Sequence, residues 1–258
     1  MLIADFHSDY LTSDSFNGTF PFGETEVVFA VFRGKRDFKT SVELSKKAKI
    51  IAYEDVGYED LDIDALIASK PVYVGLTWNG ENRFGYGCNY KYGLKKDGLD
   101  LISKLNGAGI AVDVAHISEG GFNDIIDRAE TVVDSHTCFN GVYAHKRNLS
   151  DRQIDLLVER NAPIGVTLCG YFMSEGVCKT EDFIREIDYY CSRHGTDNLC
   201  VGTDFYGADK FPEGISDYND FYLVVNALIK RGYSSEDIEK IFYGNLHSFL
   251  EKRNGKRL

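Results

Sequence analysis

Residues 110–116 read IAVDVAH and residues 131–136 read TVVDSH. Each is an apolar, β-branched run that ends on a histidine, and an amphipathic stretch separates the two. Runs that are hydrophobic at nearly every position belong to strands buried on both faces of a parallel sheet. The same kind of run recurs along the chain. LIADFH (2–7), EVVFAVF (26–32), KIIAYED (49–55), VYVGLTW (72–78), APIGVTLC (162–169) and NLCVGTDF (198–205) complete a set of eight. Helical patterns lie between them. Residues 149–160 place Ile154, Leu157 and Val158 on one face, with Ser150 as N-cap. Residues 217–232 run apolar on one side and stop at Gly232, and 234–253 begins with a cap and first-turn carboxylates, with a break expected at Gly244-Asn245. Eight strands alternating with helices predict an α/β fold, a (β/α)8 TIM barrel in one compact domain over 1–258. An open doubly wound sheet is the rival, weakened because no Gly-rich phosphate loop follows the first strand.

The composition agrees with a globular chain. Its 258 residues carry 29 Lys and Arg against 40 Asp and Glu, a formal net charge of −11, with 43% hydrophobic and 27% charged residues. This acidity disfavours nucleic acid or an anionic membrane surface as the main partner. No apolar run nears the roughly 20 residues that span a bilayer. The opening MLIADFHSDY lacks the basic start and apolar stretch of a signal peptide, so the expected compartment is the cytoplasm. Six Cys without a C-x-x-C pair are expected to be buried, reduced thiols.

Barrels of this class place their active sites at the C-terminal ends of the strands. The first run ends in His7-Ser8-Asp9, the third in Glu54-Asp55, the fifth in His116, the sixth in His136 and the eighth in Asp204. Three of the six histidines therefore share one expected face. Histidines and carboxylates converging on one mouth are donors for borderline or hard divalent metals. His7 and Asp9 alternate along an extended segment, so both side chains can reach one ion. A carboxylate from another strand can bridge two ions, and two further histidines complete a second site. His145, His194 and His247 are expected at the surface, and Asp55 and Glu81 in solvent.

Taken in order, these residues resemble the renal (membrane) dipeptidase family, metallopeptidases among the amidohydrolase-like barrels. DFHSDY resembles that family's opening His-x-Asp motif, and IAYED places Glu54 at its bridging Glu. YVGLTWNGEN is similar to the Leu-Thr-His-x-x-x-Asn segment, and GLKKDGLDLISKLNGAGIAVDVAHIS follows the signature ending in His116. VVDSHTCFNGVYAHKRNLSD matches the block carrying His136 and Arg147, CVGTDFYGAD the block carrying Asp204, and YGNLHSFL the terminal helix. The resemblance spans nearly the whole chain. It implies a metal-dependent dipeptidase working by a hydroxide that bridges two divalent ions, zinc first among them. His7 and Asp9 would hold one ion, His116 and His136 the other, and Glu54 both. Asp204 is implied as the catalytic proton acceptor and donor, and Arg147 as the binder of the substrate's free carboxylate. The implied partner is a small dipeptide, with no nucleic acid and no membrane, and a homodimer is compatible.

The chain departs from the pattern twice. Trp78 stands where the family has a substrate-binding His, replacing a protonatable group by an indole N–H. Tyr206 stands where a second Asp is common. The connections after Asp9 and Trp78 are also short. Substrate preference therefore stays open between dipeptides, another hydrolytic substrate of the same metal centre (a lactone, a deaminase or phosphotriesterase substrate), and a catalytically weak, metal-bound protein that binds peptides. Asp9, Glu54 and Arg147 favour the first.

Overall fold

The computed structural model describes residues 1–32 and 37–255. All eight expected strands form: β1 (Ala4–Ser8), β2 (Glu26–Val31), β3 (Ile51–Tyr53), β4 (Tyr73–Gly75), β5 (Ala111–Asp113), β6 (Val132–Thr137), β7 (Ile164–Val166) and β8 (Leu199–Val201). Most are shorter than the apolar runs that announced them, because the tails of those runs turn into the loops that carry the polar residues. The strands pair in parallel and in chain order, and the sheet closes on itself through β8 and β1, with Asp5 opposite Val201. In a closed parallel sheet all C-terminal strand ends share one rim.

The helices are α1 (Phe38–Ser45), α2 (Ile63–Ala68), α3 (Lys96–Gly107), α4 (Glu119–Arg128), α5 (Asp151–Glu159), α6 (Thr180–His194), α7 (Phe221–Arg231), α8 (Ser235–Glu239) and α9 (Asn245–Gly255). Two expectations need correction. No α-helix lies between β1 and β2; a 3-10 turn at Tyr10–Thr12 stands there instead. The loop is packed by aromatic rings, with Phe16 and Phe20 5.3 and 6.3 Å from Tyr10 and Phe20 5.0 Å from Phe29. Nor does Gly244-Asn245 break the last helical segment. Lys240–Gly244 widens into a π-helical turn that joins α8 to α9. The Asn245 amide then donates to the Thr196 and Leu199 carbonyls, both at 2.8 Å, which anchors the segment without ending it.

The chain packs as two compact units. One comprises Met1–Ser8, Pro21–Val27 and the described chain from His136 onward. Its α6 buries Phe183, Ile184, Ile187 and Tyr190, which make one face because Ile187 lies four and three residues after the first two and three before Tyr190. α5 starts on a reciprocal Ser150–Gln153 capping box, and α7 ends on Gly232 with φ of 94°, the left-handed conformation that glycine adopts without steric cost. The other unit comprises Asp9–Phe20 and Val28–Ser135. There α3 buries Leu101, Ile102 and Leu105, and α4 buries Phe122 and Ile125. Each such side chain is worth roughly 1.5–3 kcal/mol on burial. Among the described residues, no helix is long and apolar enough to cross a membrane.

Candidate metal centre

In the first unit, His7 lies in β1 and His136 near the end of β6, and their rings are 3.9 Å apart between centroids. Both are buried, at 0% and 1% exposure. Burial, and then the nearby charge of Arg147, pushes the His7 imidazole down to about 3, so the ring is neutral and keeps a lone pair to donate. Arg147 is buried as well. One of its terminal nitrogens donates to the His136 carbonyl at 2.8 Å, its guanidinium lies 5.2 Å from the Phe172 ring centre, and its Nε has no hydrogen-bond partner among the described residues. Asp204 sits three residues beyond β8 in a left-handed conformation, φ 59°, and its N–H donates to the His7 carbonyl at 3.1 Å. Such backbone costs about 1–3 kcal/mol for a non-glycine residue, and it clusters at functional sites.

A buried carboxylate sets the register behind these groups. Asp5 Oδ1 accepts the N–H groups of His7 and Thr203, at 3.2 and 2.8 Å. Its Oδ2 accepts the hydroxyls of Thr203 and Tyr218, both at 2.6 Å. Thr203 precedes Asp204, so one side chain ties the His7 strand to the Asp204 turn. Burial raises Asp5 to about 6, against its hydrogen bonds.

In the second unit, His116 lies three residues beyond β5 and Glu54 directly follows β3. Glu54 Oε1 is 3.1 Å from His116 Nε2, and both side chains are buried. His116 also takes a left-handed backbone, φ 65°, and its Nδ1 lies 2.8 Å from Asn79 Oδ1. With the ring proton on the Asn79 side, nitrogen and carboxylate face each other as two acceptors, an arrangement that suits a divalent cation. Asp9 is buried at the start of the loop after β1, and burial raises its carboxyl. A second clamp resembles the first: Asp113 in β5 accepts the N–H and hydroxyl of Ser135, at 2.9 and 2.6 Å, just before His136. Trp78 is 37% exposed, with its ring 5.9 Å from those of both His116 and Phe32.

Within each unit the expected residues thus gather: His7, His136, Arg147 and Asp204 in one, Glu54, His116 and Trp78 in the other, with Asp9, two residues after His7 in sequence, also in the second unit. One expectation fails. Asp55 is not in solvent but buried, at φ 54°, where Oδ1 accepts the Trp78 N–H at 3.1 Å and the Asn82 amide at 2.9 Å. Its polar neighbourhood in the sequence hid a side chain that folds back on the next loop. Glu81 is exposed and pairs with Lys95. His145, His194 and His247 are half-buried and meet structural partners, the Phe172 ring, Asp155 and Glu26 respectively. All six Cys are free thiols; Cys88 and Cys191 are half-buried and the other four buried. Asn79, Asp5 and Asp113 escaped notice in the sequence because an Asn in a polar loop or an Asp within a strand carries no mark of its distant partner.

Comparison with known proteins identifies a family and a fold. The model of the membrane dipeptidase family, peptidase family M19, matches residues 62–255. That span includes Trp78, His116, His136, Arg147 and Asp204, while His7, Asp9 and Glu54 precede it. The chain is 28% identical over 201 residues to an uncharacterised protein of the pqqA 5' region of Klebsiella pneumoniae, covering 72% of this chain and 74% of that one. It is 29% identical over 164 residues to the dipeptidase tcpJ of Claviceps purpurea, covering 62% of this chain but 39% of that protein. A metallopeptidase of Rhodobacter sphaeroides, solved with a phosphinate mimic of the dipeptide L-Ala-D-Ala, shares the fold. Its TM-score is 0.83 at 20% identity, over 97% of this chain and 99% of that one.

Proposed function

We propose that this chain, which belongs to the membrane dipeptidase family of metallopeptidases, hydrolyses the amide bond of small dipeptides with a free carboxylate at a centre of two divalent ions, zinc first among them. His7 and Asp9 would hold one ion, His116 and His136 the other, and Glu54 both. The donor chemistry supports this: each of these five side chains is a buried imidazole or carboxylate, the donor types that hold borderline and hard divalent ions. The observation that carries the reading is the buried approach of His116 Nε2 to Glu54 Oε1 with the other ring nitrogen engaged by Asn79.

Bound there, the ions would polarise the scissile carbonyl and acidify a water towards a pKa of about 7. The chain's own groups do the rest. Arg147, whose Nε has no hydrogen-bond partner among the described residues, orients the substrate carboxylate through its planar fork of donors. Asp204 takes a proton from the attacking water and delivers it to the leaving amine. Trp78 lines the substrate side and shapes preference. One catalytic domain over 1–258 is part of the proposal, supported by the fold match along 97% of the chain, and a cytoplasmic location accords with the acidic composition.

The test is hydrolysis of a panel of L-L and L-D dipeptides by zinc-reconstituted protein, with Asp204→Asn as control. We expect turnover by the wild type and loss of at least about 10³-fold in the variant, with both ions retained. Absence of turnover from protein shown to hold two ions would overturn the dipeptidase reading. Lactones would then be tried first, and peptide binding without turnover next, since Trp78 removes a protonatable group.

A further inference from the structure

The loop after β4 grips His116 from behind. Asn79 Oδ1 is 2.8 Å from His116 Nδ1, and the Cys88 thiol donates to the same oxygen at 3.0 Å. The Cys88 N–H donates to the His116 carbonyl at 2.7 Å, and Gly87 forms an antiparallel bridge with Ile117. Ring and backbone of one residue are therefore held by one ten-residue stretch, 79–88. That stretch starts beside Trp78, whose backbone N–H is itself held by Asp55.

We propose that Asn79 is a positioning residue that fixes His116 in the tautomer carrying its proton on Nδ1, so that Nε2 presents its lone pair to the metal and to Glu54. An amide oxygen can only accept, so the ring nitrogen facing it bears the hydrogen. The Cys88 thiol donates to the same oxygen, which holds the amide in this orientation. A histidine ligand whose second nitrogen is hydrogen-bonded in this way is oriented and made more basic, and loss of such a partner costs about 10–100-fold in metal affinity. The inference rests on the assignment of His116 as a ligand.

The experiment compares Asn79→Leu, which removes the acceptor at similar size, with Asn79→Asp, which keeps it. Zinc affinity and stoichiometry are read by competition with a chromophoric chelator on the full chain, beside the melting temperature of the metal-free protein. We expect Asn79→Leu to bind one ion about 10–100-fold more weakly at an unchanged metal-free melting temperature, and Asn79→Asp to stay within a few-fold of wild type. Wild-type affinity in Asn79→Leu overturns the proposal, as does an equal loss in Asn79→Asp, which would make the role one of packing. His116→Ala keeps the two questions apart: retention of both ions at wild-type affinity there refutes the ligand assignment itself. Should Asn79→Leu fail to fold, nitrogen-15 imidazole spectra of the zinc-loaded wild type decide. They should show Nδ1–H at His116, and an Nε2–H form would sink the proposal.

Discussion

Glu186, on α6, offers a measurable titration inside the fold. It is fully buried, its Oε2 accepts the Phe139 N–H at 2.8 Å, and its Oε1 has no hydrogen-bond partner among the described residues. Phe139 lies three residues beyond His136, so this side chain anchors the exit of a candidate ligand strand. Burial pushes the carboxyl from 4.5 up to about 8, only partly offset by the Phe139 N–H. The folded protein therefore holds a proton that the unfolded chain has released. The resulting stability is fully present below about pH 4.5 and is lost as pH rises through about 8. Each pH unit inside that window is worth about 1.4 kcal/mol, so between pH 5.5 and 7.5 the group should cost up to about 2.7 kcal/mol. Glu186→Gln has no proton to lose and keeps a carbonyl oxygen for Phe139. Urea unfolding of both proteins at those two pH values, equally loaded with metal, isolates the effect, because every other titrating group is common to both. Wild type should lose about 1.5–2.7 kcal/mol relative to the variant on raising the pH. Parallel profiles, with a difference changing by less than about 0.5 kcal/mol, would show that the buried carboxyl does not titrate in this window and refute the reasoning.

Arg147→Ala should lower kcat/KM about 10–100-fold on dipeptides with a free carboxylate, the worth of a lost charged hydrogen bond, and affect amidated dipeptides little; equal losses on both would remove its carboxylate role. A Cβ at Gly87 would lie 1.8 Å from the Trp78 carbonyl oxygen and 2.5 Å from the Asn79 carbonyl carbon, so Gly87→Ala must displace backbone. It should destabilise by about 1–3 kcal/mol in thermal unfolding and weaken zinc binding. At Gly107, ending α3, nothing lies within 4 Å of a Cβ, and Ala there should stabilise by about 0.5–1 kcal/mol. A neutral outcome at Gly87 would contradict its tight packing against the backbone of Trp78 and Asn79.

The eight strands were legible because a strand buried on both faces leaves an unbroken apolar run, and the candidate ligands because each interrupts such a run at its end. What the sequence hid depends on partners far along the chain. Asp5 reads as one polar residue in a strand until Thr203 and Tyr218 arrive, 198 and 213 residues later. Asp55 looks solvated beside Glu54 because local polarity says nothing about a left-handed turn that carries its carboxyl under Trp78. The helix missing after β1 was invisible because aromatic residues pack a loop as readily as they pack a helix. The π-turn at 240–244 escaped notice because Gly-Asn ordinarily signals a stop, and here the Asn245 amide spends its donors on Thr196 and Leu199.

The closure of the sheet between β1 and β8 has a consequence for the order in which the protein comes into being. Asp5 pairs with Val201, and the Asp204 N–H reaches back to the His7 carbonyl, so these contacts join the first residues to ones nearly two hundred positions later. Contacts of such separation form late in folding, and a chain made from its N-terminus acquires them last. A growing polypeptide carries His7, Glu54, His116 and His136 long before it carries Asp204. Until β8 emerges and seats itself beside β1, the group proposed to move the proton has no place to stand. Competence for the proposed reaction is thus tied to the arrival of β8.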